Sequence, residues 1–154
     1  MRGRRHILLG VLALALLPCP APAAEAPPDL DVIAHPAVPQ QPLDRAGLAA
    51  IFSMTRRSWG EGLSAVPFNY APESPLRRTF DGAVLGLAPA EVGRFWIDQR
   101  IRGYGHPPRQ VADPAIMVRL IANLKGSIGY IPAGAADKSV RIVARIRQGK
   151  VVAP

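Results

Sequence analysis

The chain has 154 residues, 49% of them hydrophobic, and a formal net charge of +8 at neutral pH. This length suits a single domain with one hydrophobic core. The basic charge predicts attraction to anions or acidic surfaces, and a single cysteine, Cys19, excludes an internal disulfide.

Residues 1–23 are predicted to be a secretory signal peptide. Three arginines precede an apolar run over residues 7–17, and small residues at positions 21 and 23 form a cleavage site. The run is shorter than the roughly 20 residues that span a bilayer, which disfavours an uncleaved anchor. Lipidation at Cys19 stays an alternative, although Pro18 stands where such signals carry a small residue. We therefore expect a periplasmic or secreted protein.

Cleavage after Ala23 leaves 131 residues with a net charge of +5, because it removes three of 19 basic residues and no acid. Residues 24–30 are small, acidic and rich in proline, which predicts a linker. Residues 31–154 are then one domain. Secretion argues against nucleic acid as its anionic partner.

The first half of this domain alternates between strand and helix signals. Residues 31–36 predict a strand that a proline closes. Apolar residues at helical spacing predict a helix over 43–54. Residues 55–62, which include Trp59 between arginines and glycines, predict a loop before a second strand over 63–70.

The second half continues the alternation. Ser74-Pro75 and Asp113-Pro114 each combine an N-cap residue with proline at the first helical position, and a further helix begins at Ala88-Pro89. Gly126 ends the helix that starts at Asp113-Pro114. A short strand over 127–131 and an alternating strand over 140–147 follow. Alternating strands and helices predict an α/β fold, a small mixed sheet flanked by helices.

Three phrases, in this order and spacing, resemble the phosphate-binding proteins of ABC importers, a branch of the type 2 periplasmic binding proteins. They are the segment 48–62 with "LAAIF" and "WGEG", the segment 73–80 with "ESPLRRTF", and the segment 126–130 with "GSIGY". The resemblance runs from about Val32 to Pro132. It implies a single lobe of a fold that has two lobes in full-length members.

The same resemblance implies phosphate or another small oxyanion as ligand, because full members close over an anion held by hydroxyl and backbone N–H groups. Ser74 matches their anion-binding serine at a helix N-terminus, which favours anions. Arg77 and Arg78 follow within a turn and are candidates to donate to the same oxyanion. The alternative is that Ser74 is only an N-cap and that the arginines are solvated. Full members usually carry a glycine shortly after the "IF" of the first phrase, and this chain has another residue there, near Met54.

Arg56 and Arg57 are secondary candidates, because they can add positive potential near an anion. Trp59 is interpreted as a packing residue that fixes its loop. His35 and His106 lie far apart and beside prolines, so no metal spacing is present, and we expect no metal and no cofactor. The sequence also shows no nucleophile with a base and no paired carboxylates, so we do not expect an enzyme.

Two functions follow from these observations. The first is a periplasmic phosphate- or oxyanion-binding protein, accessory to ABC-type phosphate import or sensing. The second is an envelope interaction module that keeps the truncated fold without a ligand, with the arginines of strand 140–147 facing an acidic partner. The sequence leaves the oligomeric state open.

Overall fold

The structure is a computed structural model that describes residues 26–154. The predicted signal peptide and its cleavage site lie outside these residues. No helix within residues 26–154 is both long enough and apolar enough to cross a membrane.

The fold is built on a six-stranded mixed sheet, with a small hairpin beside it. The strands are β1 Leu30–Ala34, β2 Ser58–Gly60, β3 Leu63–Ser64, β4 Val66–Asn69, β5 Arg109–Gln110, β6 Ser127–Pro132, β7 Arg141–Arg147 and β8 Lys150–Val152. The main sheet has the order β5-β4-β6-β1-β7-β8, and β2 pairs only with β3. Strand β4 is parallel to β5 and β6, whereas β1 is antiparallel to β6 and β7. The predicted mixed sheet is confirmed.

Residues 26–154 form four α-helices: α1 Arg45–Phe52, α2 Pro75–Phe80, α3 Val92–Ile101 and α4 Pro114–Asn123. Asp44 and Asp113 cap α1 and α4, because their carboxylates accept hydrogen bonds from backbone N–H groups in the first turn at 2.7 and 2.8 Å. Helix α2 continues directly into a π-helical segment, Asp81–Leu85, which Gly86 ends in the left-handed conformation.

Helices cover both faces of the sheet, because neighbouring residues of β6 contact helices on opposite sides. On one face Tyr130 stacks on Phe80 of α2, with ring centroids 4.0 Å apart and planes 4° from parallel. On the other face Gly129 lies against Met117 of α4, where a Cβ atom would come within 2.4 Å of the Met117 sulfur. Successive residues of a strand face opposite sides, so the core has one layer above the sheet and one below it.

Several local features differ from the sequence predictions. Leu30, the last residue of the predicted linker, is the fully buried first residue of β1. The predicted loop 55–62 holds strand β2, and Trp59 on it is buried. The two-residue strand β5 and the edge strand β8 were not predicted. Strand β8 exists because Gln148 and Gly149 both take positive φ, 50° and 72°, which suits a tight hairpin turn after β7.

Candidate functional site

Ser74 is the N-cap residue of helix α2, but its side chain does not cap the helix. Ser74 has extended backbone angles and Pro75 occupies the first helical position, yet the Ser74 hydroxyl makes no capping hydrogen bond. The first N–H groups of a helix have no partner within it. The hydroxyl and the N–H groups of Leu76 and Arg77 therefore remain as donors at this end.

The Arg77 side chain lies in the core rather than at this helix end. It is 3% exposed, its Nε is 2.6 Å from Asp81 Oδ2, and its Nη1 donates to the Tyr70 carbonyl at 2.9 Å. This corrects both sequence interpretations of the Arg77 side chain, which placed it in solvent or toward an oxyanion. The physical reason is the i,i+4 spacing to Asp81, which pairs the two side chains on the buried face of the helix.

Asp81 belongs to a buried polar cluster that the sequence predictions missed. One carboxylate oxygen is paired with Arg77, whereas the other is buried without a hydrogen-bond partner among the described residues. Burial raises the pKa of Asp81, and the charge of Arg77 partly opposes this effect. The i,i+4 spacing of arginine and aspartate was the one signal in the sequence that pointed to this pair.

Two tyrosines close the cluster from the strand side. The Tyr130 hydroxyl donates to the Asn69 side chain, and the Tyr70 hydroxyl donates to the Tyr130 carbonyl at 2.9 Å. Burial raises the pKa of Tyr130 well above its ordinary value and is also the main cause of the raised pKa of Tyr70. Both phenols are therefore neutral hydrogen-bond donors that fix the end of β4, from which the chain leads to Ser74.

Arg78 is the cation that remains exposed beside Ser74. Its backbone N–H donates to the Ser74 carbonyl at 3.0 Å, so it lies one turn into the helix. Its side chain lines an open groove of about 630 Å³ between the start of α2 and residues 26–28. Within residues 26–154 its guanidinium has no hydrogen-bond or ion-pair partner.

Arg56 and Arg57 lie at the opposite end of β4 from Ser74. The Arg57 carbonyl accepts a hydrogen bond from the Ala65 N–H just before β4 begins, whereas Ser74 follows its end. Four strand residues rise about 13 Å. The structure therefore does not bring the secondary candidates together with Ser74.

The two arginines at this end also differ from each other. Arg57 donates to the carbonyls of Met54 at 3.2 Å and Gly103 at 3.1 Å, which ties the loop before β2 to the end of α3. The guanidinium of Arg56 lies over the ring of Trp59, 5.6 Å from its centroid. Trp59 is buried and donates to the Gly126 carbonyl at 2.8 Å, which confirms its predicted role in fixing the loop.

The arginines of β7 are not a solvated row. Arg141 donates to the carbonyls of Val38 and Pro39, and Arg147 forms a 2.7 Å ion pair with the buried Asp31. Arg145 lies 3.8 Å from the same aspartate. These contacts hold the loop after β1 and the start of β1 against β7, so most of this charge serves the fold.

No protein-family model matches the chain, and no curated protein matches it. Solved structures of phosphate-transport proteins do share its fold. An ABC-type phosphate transport receptor from Vibrio cholerae superposes with a TM-score of 0.58 at 20% identity, over 77% of this chain and 47% of the receptor. A phosphate-bound protein from Clostridium perfringens gives 0.58 at 19%, over 75% and 44% of the two chains. PstS from Borrelia burgdorferi superposes with a TM-score of 0.59 at 16% identity, over 75% of this chain and 46% of PstS.

These matches confirm the fold that the sequence resemblance implied. The chain spans less than half the length of each of these proteins. At this level of identity the likeness defines a fold, which by itself does not define a ligand.

Proposed function

We propose that the protein is a periplasmic binding protein for a small oxyanion, phosphate first, accessory to ABC-type phosphate import or sensing. The observation that carries the proposal is the uncapped N-terminus of α2, which offers the Ser74 hydroxyl and two backbone N–H groups, with the exposed Arg78 one turn further along the helix. The helical run continues to Leu85, so its dipole favours an anion at this end. The role is binding rather than catalysis.

The proposed site offers a different set of donors from the one that the sequence predicted. Arg77 contributes its backbone N–H, because its side chain pairs with Asp81. Arg78 supplies the charge-assisted hydrogen bonds, and such bonds are about twice as strong as neutral ones. Ser74, Arg78 and the first turn of α2 thus contact the anion from the helix side of the groove.

Thermal unfolding with phosphate, sulfate and chloride at fixed ionic strength tests the proposal. A ligand at 100 times its dissociation constant adds about 2.7 kcal/mol to the free energy of unfolding. We expect phosphate to raise the melting temperature, and Ser74→Ala and Arg78→Ala to weaken this effect. Arg94→Ala is the matched control, since Arg94 is exposed on α3. Equal effects of all anions, or equal responses of the variants, would reject the site.

The periplasmic location rests on the proposed signal peptide over residues 1–23. Mass spectrometry and N-terminal sequencing of the protein purified from cells test it directly. We expect the mature chain to begin at Ala24. A lipid-modified N-terminus at Cys19 would establish the anchored alternative, and an intact Met1 in the envelope fraction would reject cleavage.

A second candidate function, an envelope interaction module, is favoured by a different surface. Ile97 and Ile101 are 51% and 79% exposed on α3, and Tyr104 beyond it is 37% exposed. Exposed apolar groups on one helix face are typical of a contact surface. Crosslinking in cells should enrich an envelope protein with wild type and lose it with Ile97→Ser plus Ile101→Ser; no specific enrichment would exclude this function.

A further inference from the structure

A second cleft lies at the amino end of β4, apart from Ser74. It is bounded by the loop after β1 and by the β2–β3 hairpin and has a volume of about 610 Å³, within the range of pockets that hold small molecules. Its lining combines apolar side chains with three polar ones: Leu43, Trp59, Leu63, Gln41, Arg56 and Glu61. Apolar walls with a few converging polar groups are the usual composition of a ligand site.

The cation of this cleft is held in position before any ligand arrives. Arg56 Nε donates to the Ser58 carbonyl at 3.2 Å, and the guanidinium lies over Trp59. Trp59 is itself fixed by its hydrogen bond to Gly126. Among the described residues, the two terminal nitrogens of Arg56 have no acceptor. A fixed guanidinium with free paired N–H donors matches the geometry of a carboxylate.

The anion of the cleft is Glu61, at the tip of the hairpin. Glu61 takes φ 49° and lies between Gly60 and Gly62. Because both neighbours are glycines, Glu61 supplies the side chain of this turn. Its carboxylate makes no hydrogen bond within residues 26–154 and no ion pair with Arg56. Two opposite charges thus line one cleft without forming an ion pair with each other, and a ligand that carries both charges would complement this lining.

We propose that this cleft binds a zwitterionic α-amino acid with an apolar side chain. Arg56 receives the carboxylate and Glu61 receives the ammonium group. The apolar side chain lies against Leu43 and Leu63, where it is removed from water. This site is independent of the proposed oxyanion site, because it stands at the other end of β4.

Calorimetric titration with three related probes tests each charge separately. Leucine carries both charges, leucinamide lacks the carboxylate, and N-acetylleucine lacks the ammonium group. We expect leucine to bind, and each of the other probes to bind at least about tenfold more weakly, a loss of roughly 1.4 kcal/mol. Glycine should also bind more weakly than leucine, because it leaves the apolar wall exposed.

Variants assign the two charges to their residues. Arg56→Gln and Glu61→Gln should each weaken leucine binding about tenfold or more, and Arg94→Gln and Ser74→Ala should leave it unchanged. Arg56 and Glu61 are exposed, and a thermal melt of each variant verifies its folding. Absence of heat with leucine at millimolar concentration overturns the proposal. So does equal binding of leucinamide or N-acetylleucine.

Discussion

The two ends of β4 each carry a pair of consecutive arginines, and the members of each pair have different roles. At the carboxyl end Arg77 is buried against Asp81, whereas Arg78 is exposed in a groove. At the amino end Arg57 ties two loops together, whereas Arg56 lines a cleft over Trp59. In both pairs one arginine maintains the fold and its neighbour belongs to a proposed ligand site.

The difference shows that the acceptors around an arginine determine its role. Arg77 has a carboxylate four residues further on and a carbonyl at the end of β4. Arg78 points 100° away on the helix and meets neither. Substitutions that separate stability from ligand binding can therefore break or sharpen this comparison.

The largest effect is expected for Arg77→Ala. The substitution leaves the Asp81 carboxylate buried without its cation, which costs about 3–5 kcal/mol. Arg78→Ala should change the free energy of unfolding by less than about 0.5 kcal/mol, as for an ordinary surface site. Urea denaturation of both variants measures the contrast. Similar stabilities of the two variants would show that the buried pair does not form.

At the amino end the largest effect is expected for Gly126→Ala. Gly126 has φ 82°, and a Cβ atom there would lie 2.1 Å from the Ser64 carbonyl oxygen. Left-handed strain and the steric clash together predict a loss of about 2–4 kcal/mol. Gly62→Ala is the matched control, because Gly62 has φ 78° with open space around it. Its loss should be about 1–2 kcal/mol, from strain alone.

A gain in stability is expected for Met54→Gly. Met54 takes φ 64°, a conformation that suits glycine, at the place where the family resemblance implied one. The backbone strain relieved in the folded state should exceed the entropic cost of ordering glycine on folding by about 0.5–1 kcal/mol. The midpoint of urea unfolding should rise accordingly. A lower midpoint would mean that the half-buried Met54 side chain contributes more through packing than its backbone loses through strain.

The smallest expected effect is the pH dependence that Asp81 gives to the free energy of unfolding. Burial raises its pKa above the ordinary value of 3.8, so the folded state holds a proton that the unfolded state has released. This carboxyl contributes its full stability below pH 3.8, and the contribution falls as pH rises through the raised pKa. Asp81→Asn should lack this decline when denaturation curves are compared across the acid range. An identical pH profile would contradict the raised pKa.

The sequence predicted the main elements because their signals are local. Proline after Ser74 and after Asp113, and the alternation of residues 140–147, place two helices and a strand without tertiary information. Strands β5 and β8 were missed because two or three residues give too short a pattern.

The side-chain contacts around the proposed site were predicted less completely than the fold. Ser74 and Arg78 lie at the expected helix end, but the burial of Arg77 depends on where Asp81 and Tyr70 meet it. The separation of Arg56 from Ser74 depends on the direction of β4. Both facts arise from tertiary packing, which no single segment of the sequence specifies.

The most direct test of the proposed oxyanion site is a phosphate titration followed by two-dimensional amide NMR of the ¹⁵N-labelled protein. We predict saturable shifts of the Leu76, Arg77 and Arg78 amides at the start of α2. The amides of Arg56 and Glu61, at the other end of β4, should remain unchanged. Saturable shifts confined to the amino end, or no saturable shift at Leu76, Arg77 and Arg78, would contradict the assignment of the oxyanion site to Ser74.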